Sequence, residues 1–369
     1  MWIHEQINWT NFTWDNERLA SKLAEIKYRQ GYLLGKMEGI GFELKQEATL
    51  ITLTNDIVKS SAIEGENLNT EEVRSSIARR LGINIAGLAY TSRHVEGIVE
   101  MMLDATQKFS IPLTKARLFD WHAALFPTGR SGMRNIIVGN WRTIDTGPMQ
   151  VVSGPMGKEN IHFEAPSANK INKEMNDFFK WFESKNNIDP LLKAAIAHFW
   201  FTTIHPFEDG NGRIARAIAD MGLARADNIS ERFYSLSTQI ELARKDYYSQ
   251  LERQQRGTSN ITKWLEWFLN CLEKAILEAE KTLNKVLFKA KLWNDIKYFS
   301  INERQRLIIN KMLEDDFIGY MNTSKYAKLT KCSNDTALRD IQLLKKQSIF
   351  IQNSGSGRST SYRLLNIGN

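Results

Sequence analysis

The sequence predicts a mainly α-helical protein in which one β-hairpin interrupts the helices and a winged helix-turn-helix closes the chain. Three observations carry that reading. Apolar residues recur at helical spacing through most of the 369 residues, only 7 of which are proline. Residues 129–166 turn rich in Gly, Pro, Ser, Thr and Val. The last 75 or so residues read as three short helices followed by strand, turn and strand.

From the N-terminus, Leu19, Leu23, Ile26, Leu33, Leu34 and Met37 mark a first helix, which Gly39-Ile-Gly41 interrupts. A second helix is expected from Glu43 to Ser61, with Leu50, Leu53 and Ile57 on its apolar face. Further helices follow over 70–128, with Pro112 near a start and Pro127-Thr-Gly129 as a stop. Met149–Val152 and Ile161–Phe163 are the strands of the hairpin, and Ser153–Lys158 supplies its turn. Helical spacing resumes at 167–182, 190–203, 212–226, 243–256 and 260–288. In the last module, 303–314, 324–329 and 333–346 are helices, Ile349–Gln352 and Ser361–Leu364 strands, and Asn353–Arg358 a wing. The division expected is an N-terminal helical region over 1–95, a core over 96–288 and a winged-helix domain over 295–369.

Composition excludes several classes. No stretch approaches the roughly 20 apolar residues of a membrane span, and the opening Met-Trp-Ile-His-Glu-Gln is no signal peptide. Two distant cysteines, Cys271 and Cys332, argue against a disulfide framework and fit a reducing cytoplasm. The net charge of +7 permits contact with nucleotides or nucleic acid without requiring it.

The chemistry concentrates in His205-Pro-Phe-Glu-Asp-Gly-Asn-Gly-Arg-Ile-Ala-Arg216. An apolar helix ends at His205, a glycine-rich turn follows, and a new helix opens at Arg213. Glycines let backbone N–H groups approach an anion, and a helix N-terminus favours negative charge. Arg213 and Arg216, three apart, share a helix face and can reach one polyphosphate. Asp209 is a hard oxygen ligand placed for Mg²⁺, and the His205 imidazole is placed to accept a proton.

This run resembles the Fic family signature, His-x-Phe-x-(Asp or Glu)-Gly-Asn-Gly-Arg-x-x-Arg, without a departure. The resemblance extends over roughly residues 55 to 285 and implies a helical core with a β-hairpin flap. It implies transfer of AMP from ATP to a Ser, Thr or Tyr hydroxyl of a target protein, with Mg²⁺ on Asp209. In that scheme His205 is the general base. Gly210, Asn211, Gly212 and Arg213 hold the α- and β-phosphates, Ile214 and Ala215 continue the nucleotide site, and Arg216 holds the γ-phosphate. Ile161 and His162 border the nucleotide from the flap, whose edge strand would pair with the target. Tyr247, Tyr248 and Gln255 would line the adenine pocket.

Upstream, Ser60-Ser-Ala-Ile-Glu64-Gly65 resembles the family's inhibitory motif, (Ser or Thr)-x-x-x-Glu-(Gly or Asn). The resemblance implies a glutamate, Glu64, that occupies Arg216 and so misorients the γ-phosphate. It also implies a homodimer.

The other histidines read as ordinary. His198 is expected in the core, His94 and His122 likewise, and Cys271 as a small core residue among Trp264, Trp267, Phe268 and Leu272. Lys345, Lys346, Arg358 and Arg363 suit a DNA contact, whereas Asp335 and Asp340 on the recognition helix count against it, so the last module serves either DNA or a protein partner. Two other readings use the same residues: removal of AMP from a modified target, and a transcriptional regulator that senses ATP.

Overall fold

The computed structural model describes residues 1–85, 87–154, 158, 160–313, 317–354 and 360–365. It divides into two compact units, Met1–Glu280 and Lys281–Asn369. The N-terminal region expected over 1–95 lies within the first unit. The second boundary falls earlier in the chain than the expected 288–295.

In the first unit, α1 (Asn16–Glu38) starts where the Asp15 carboxylate caps the N–H of Arg18, and the Gly39–Gly41 break separates it from α2 (Phe42–Ile63). Asn69 caps α3 (Thr70–Leu81), which ends on Gly82 at φ 66°. Ser92 caps α4 (Arg93–Gln107) and Thr114 caps α5 (Lys115–Leu125). A two-residue hairpin, β1 (Arg130–Ser131) with β2 (Arg134–Asn135), follows; its strands are too short to leave a periodic trace in sequence. The expected hairpin is β3 (Gln150–Ser153) antiparallel to β4 (Asn160–Glu164), with a register shift between Val151 and Val152. Pro155, Met156 and Gly157 of its turn lie outside the described residues.

Next come α6 (Ile171–Glu183), α7 (Pro190–Ile204), α8 (Asn211–Asp227), α9 (Leu236–Leu242), α10 (Arg244–Gln255) and α11 (Thr262–Ile296). The seven-residue α9 was not foreseen, and α11 runs past the expected 288. Helix α7 is buried on every side, as a helix apolar all round must be, and lies against α8. Their approach is close: a Cβ on Gly222 would stand 2.9 Å from that of Ala194. Helix α2 packs on α9, α3 and α8, with Leu50, Leu53 and Ile57 at 2% exposure or less. The N-terminal residues brace the flap. Trp2 meets Phe163 edge-on at 5.4 Å, and the His4 ring donates to the Glu164 carbonyl at 2.7 Å.

The second unit carries α12 (Glu303–Met312), α13 (Thr323–Thr330), α14 (Asn334–Lys346) and the antiparallel pair β5 (Phe350–Gln352) and β6 (Tyr362–Leu364). Its core includes Ile308, Tyr326, Ile341, Leu344 and Phe350. One expectation is corrected here. Asp340 does not lie on the exposed face of α14 but is buried, accepting from Arg304 Nε at 2.8 Å, Asn302 at 2.9 Å and the Tyr326 hydroxyl at 3.1 Å. Its charge is thus matched from within, and the exposed face presents Asp335 with Arg339, Lys345 and Lys346. Arg358 and its neighbours 355–359 lie outside the described residues.

Close packing of α4 on α5 depends on Gly97, where a Cβ would lie 1.8 Å from the Ala124 carbonyl oxygen. Gly97→Ala should therefore destabilise the first unit by about 2 kcal/mol or more. Urea unfolding followed by tryptophan fluorescence checks this; an unchanged midpoint would refute it.

Candidate active site

The site is assembled where α7 ends and α8 begins. His205 closes α7 in the left-handed region, φ 52°, an uncommon conformation for a residue with a side chain. Two groups hold it there. Its Nδ1 faces the Thr202 carbonyl at 3.2 Å, and since a carbonyl only accepts, Nδ1 carries the proton and Nε2 keeps its lone pair. Arg142, buried at 3% exposure, donates from Nε to the His205 carbonyl at 2.8 Å and also reaches the Pro166 carbonyl. Desolvation by the surrounding protein, with Arg142 adding to it, lowers the His205 pKa from 6.5 to about 4. The half-buried imidazole is neutral at pH 7.

The turn between the helices is built from its own side chains. Asn211 exchanges two hydrogen bonds with the Phe207 backbone, at 2.9 and 3.0 Å. Gly210 caps α8 at φ 79°, where a Cβ would crowd Phe126 at 2.9 Å. Asp209 accepts from the Gly210 N–H at 2.6 Å and from the Ser131 hydroxyl. His122, expected as an unconnected core residue, is buried but donates from Nε2 to the Asp209 carbonyl at 3.2 Å while Nδ1 accepts from the Gly139 N–H at 3.1 Å. It stacks on Phe207 at 4.2 Å, and burial lowers its pKa to about 4.

Arg216 is 1% exposed, and the end of α2 takes three of its donors. Nε donates to Ser60 Oγ at 2.9 Å, Nη2 to the Ser60 carbonyl at 2.8 Å, and Nη1 to Glu64 Oε1 at 2.8 Å. That carbonyl is one of the last of α2, which a helix leaves without an internal partner. Burial opposes the Arg216 charge most, but Glu64 together with the hydroxyls of Tyr247 and Tyr248 outweighs it and raises the pKa. The Tyr248 hydroxyl donates to the Ile63 carbonyl at 3.1 Å and reaches Glu64 Oε2 at 3.4 Å. Glu64 lies so close over Gly212 that a Cβ there would stand 2.1 Å from Oε1.

Arg213 has a carboxylate of its own. Its Nη1 donates to Glu66 Oε2 at 2.9 Å, and the His94 ring meets the other oxygen of Glu66. His94 is thus no core histidine. It lies half-exposed on the wall of a second cavity with Glu66, Asp209 and Arg213. Burial works against the Glu66 charge, yet the His94 bond and the Arg213 charge together keep its pKa below 4.5.

A cavity of about 650 Å³ joins these elements, lined by Glu64, His205, Gly212, His162, Tyr247, Tyr248 and Gln255 among others. Not all the sequence-derived residues meet in it. Ile214 and Ala215 are fully buried in α8, the Asn211 side chain is spent on the turn, and Ile161 is exposed on β4 with its carbonyl accepting from Arg256. Tyr247 is buried, with its hydroxyl 3.2 Å from His198 Nε2, and His198 stacks on Trp264 in the core. His162 bridges Ser153 and Glu252, tying the flap to α10.

Among the described residues no cluster of three or more His, Cys, Asp or Glu is poised around a metal. A lone Asp209 facing a cavity fits Mg²⁺ nonetheless, because that ion commonly takes one or two carboxylates and completes its shell with phosphate oxygens and water.

Comparison with known proteins now bears on this geometry. Residues 112–223 match the family described as "Fic/DOC family", and residues 2–83 match "Domain of unknown function (DUF4172)". Protein adenylyltransferase fic-1 of Caenorhabditis elegans is 26% identical over 193 residues, 52% of this chain and 34% of its own length. Protein adenylyltransferase Fic of Nematostella vectensis is 33% identical over 115 residues, 30% and 25% of the two chains. The chain thus spans about a quarter to two fifths of the length of the curated relatives it matches. In solved structures, a Fic family protein from Desulfovibrio desulfuricans G20 shares the fold at TM-score 0.50 and 20% identity, covering 94% of this chain and 97% of that one. A Fic domain containing signaling protein from Bacteroides thetaiotaomicron does so at TM-score 0.51 and 19% identity, over 73% and 98%. Signature, helical fold and family match together support the Fic family.

Two buried histidines and the half-buried His205 should make the fold acid-sensitive. His122, His198 and His205 have folded pKa values of about 4, 3 and 4 against 6.5 unfolded. Between those values the unfolded chain binds more protons, so their contribution is whole above pH 6.5 and is lost as pH falls toward 4. Thermal midpoints measured from pH 7 to pH 4.5 should fall steadily, and His198→Phe should flatten the slope.

Proposed function

We propose that the chain is an autoinhibited protein adenylyltransferase that moves AMP from ATP to a Ser, Thr or Tyr hydroxyl of a target protein. The observation that carries this reading is one cavity lined by His205, Gly212 and Glu64, with Arg216 held against Glu64 at its edge. A neutral imidazole with a free Nε2 faces the same space as the anion-binding start of α8. On this reading Nε2 accepts the proton of the target hydroxyl while its oxygen bonds to the α-phosphorus. The bond from that phosphorus to the bridging oxygen breaks, and pyrophosphate leaves. Arg142 acts through the His205 backbone, as a positioning residue. The N–H groups of α8's first turn and Arg213 neutralise the α- and β-phosphates, and Arg216 orients the γ-phosphate. Asp209, oriented by Ser131 and His122, would hold Mg²⁺, which neutralises phosphate charge when bound. Tyr247, Tyr248 and Gln255 form the floor for the adenine, with His162 above it from the flap. The β3–β4 edge then pairs with the target segment.

Glu64 is the brake. While it holds Arg216, the γ-phosphate has no cation to fix it, and the α-phosphorus is not presented in line. Ser60 reinforces the hold from the same helix end. We further propose a cytoplasmic homodimer, the compartment from the two distant cysteines and the dimer from the family resemblance. No described helix is long and apolar enough to cross a membrane.

A second reading, a regulator that binds DNA through its last module, is favoured by one observation. Residues 281–369 hold 16 Lys and Arg against 7 Asp and Glu, leaving 33 against 35 for residues 1–280. The basic excess of the chain is confined to the second unit, as a polyanion-binding module requires. AMP removal uses the same residues, with Glu64 directing a water at the ester. A protein partner for the last module is the other use of its surface.

Intact-mass spectrometry after incubation with ATP and Mg²⁺ tests the main reading. Glu64→Gly should add AMP to the chain or a lysate target at least about tenfold faster, the gain of freeing one transition-state cation. Glu64→Gly/His205→Ala should add none. A folded Glu64→Gly protein that transfers no more than the parent would remove the brake from the proposal.

A further inference from the structure

We infer that Glu66 is a second clamp, set on Arg213 as Glu64 is set on Arg216, and that His94 is the post that holds it there. The inference rests on the adenylyltransferase reading only for what the two arginines bind; the clamp itself is geometry.

The two carboxylates ride on one piece of backbone. Glu64 N–H donates to the Ser61 carbonyl at 3.0 Å and Glu66 N–H to the same carbonyl at 3.1 Å. Gly65 between them sits at φ 84°, where a side chain would be strained. This tight turn sends the side chains to two different cations, Glu64 to Arg216 and Glu66 to Arg213. Each has a separate anchor on another helix: Tyr248 of α10 for Glu64, His94 of α4 for Glu66.

Arg213 is positioned to feel this. It is 6% exposed, lies over the Phe126 ring at 5.0 Å, and its Nε has no hydrogen-bond partner among the described residues. Stacking on Phe126 therefore gives the guanidinium a hold besides Glu66. What Glu66 adds is a negative charge in contact with the cation that a diphosphate must use, and a bond the diphosphate must displace. In the resting chain both arginines of the signature are engaged by carboxylates of one turn, so withdrawal of that turn removes both carboxylates together while Ser60 keeps its two bonds to Arg216. The nucleotide is then resisted at its β-phosphate as well as misoriented at its γ-phosphate.

The two clamps are separable with ADP, which has a β-phosphate and no γ-phosphate. Isothermal titration of the full chain with Mg²⁺ and ADP should show Glu66→Gln binding about fivefold tighter or more, and His94→Ala tighter in the same direction. Glu64→Gly should gain more for ATP than for ADP. Arg213→Met in the Glu66→Gln background should erase the gain. ADP affinity unchanged or weakened in both Glu66→Gln and His94→Ala, with unfolding midpoints intact, overturns the clamp and makes Glu66 a support for Arg213. Because binding is read without turnover, loss of the transferase reading would leave this result standing, and the reverse also holds.

Discussion

A buried guanidinium must find acceptors, and the pairing of Arg216 organises the rest of the site. Leaving that charge without partners in the interior would cost several kcal/mol. The chain meets the demand with a helix end. The last turn of α2 offers an unpaired carbonyl, a hydroxyl and a carboxylate, all three within 2.9 Å of the guanidinium. Once α2 is seated there, Glu64 must lie over Gly212, which explains why that position has no room for a Cβ. Tyr248 closes the arrangement from α10, and the nucleotide-sized cavity is what α7, α8, α10 and the flap leave between them.

The same economy governs the turn at 205–210. It carries a left-handed histidine, a left-handed glycine and an aspartate that caps its own neighbour, a conformation no single bond would hold. Arg142, His122 and Asn211 hold it from three directions by gripping backbone carbonyls rather than the reactive side chains. The imidazole of His205 and the outward lone pairs of Asp209 thereby stay available while their geometry is determined.

Much of this was legible in sequence, for physical reasons that differ by residue. The 205–216 run is contiguous, so the helix end, the glycine turn and the two arginines that the fold brings together could be read together. The Gly39–Gly41 break between the first two helices is a local signal of the kind helix ends leave. Arg142 and His122 were not legible, because each acts on a backbone group 63 or 87 residues away and nothing in its own neighbourhood marks it. Glu66 was hidden differently. It stands two residues from Glu64, yet helical spacing would send the two to different faces, and only the positive φ at Gly65 shows that they share a turn. Asp340 misled the reading because charge in a sequence says nothing of whether Arg304 already answers it.

Where the chain can yield is limited by what α2 buries. Leu50, Leu53 and Ile57 are at 2% exposure or less, and lifting each into water would cost about 1.5–3 kcal/mol. Asp56 adds a tie to Ser235 at 2.6 Å and to the Ser237 N–H at 3.1 Å. Withdrawal of the whole helix would forfeit all of these contacts. The residues beyond Ile63, by contrast, are exposed at Glu64 and Gly65 and are held by hydrogen bonds to charged groups worth about 1.5–3 kcal/mol each, and a phosphate offers Arg216 comparable bonds in exchange. Exchange of acceptors at the end of α2 therefore costs far less than displacement of its body. To carry the turn from 1:99 to 99:1 released still takes about 5.5 kcal/mol of differential binding. Two arginines relieved of their carboxylates by one motion double the phosphate contacts that can supply it. On the proposed reading, the turn 64–66 is thus the element at which a modest signal would act on the site without unpacking the fold.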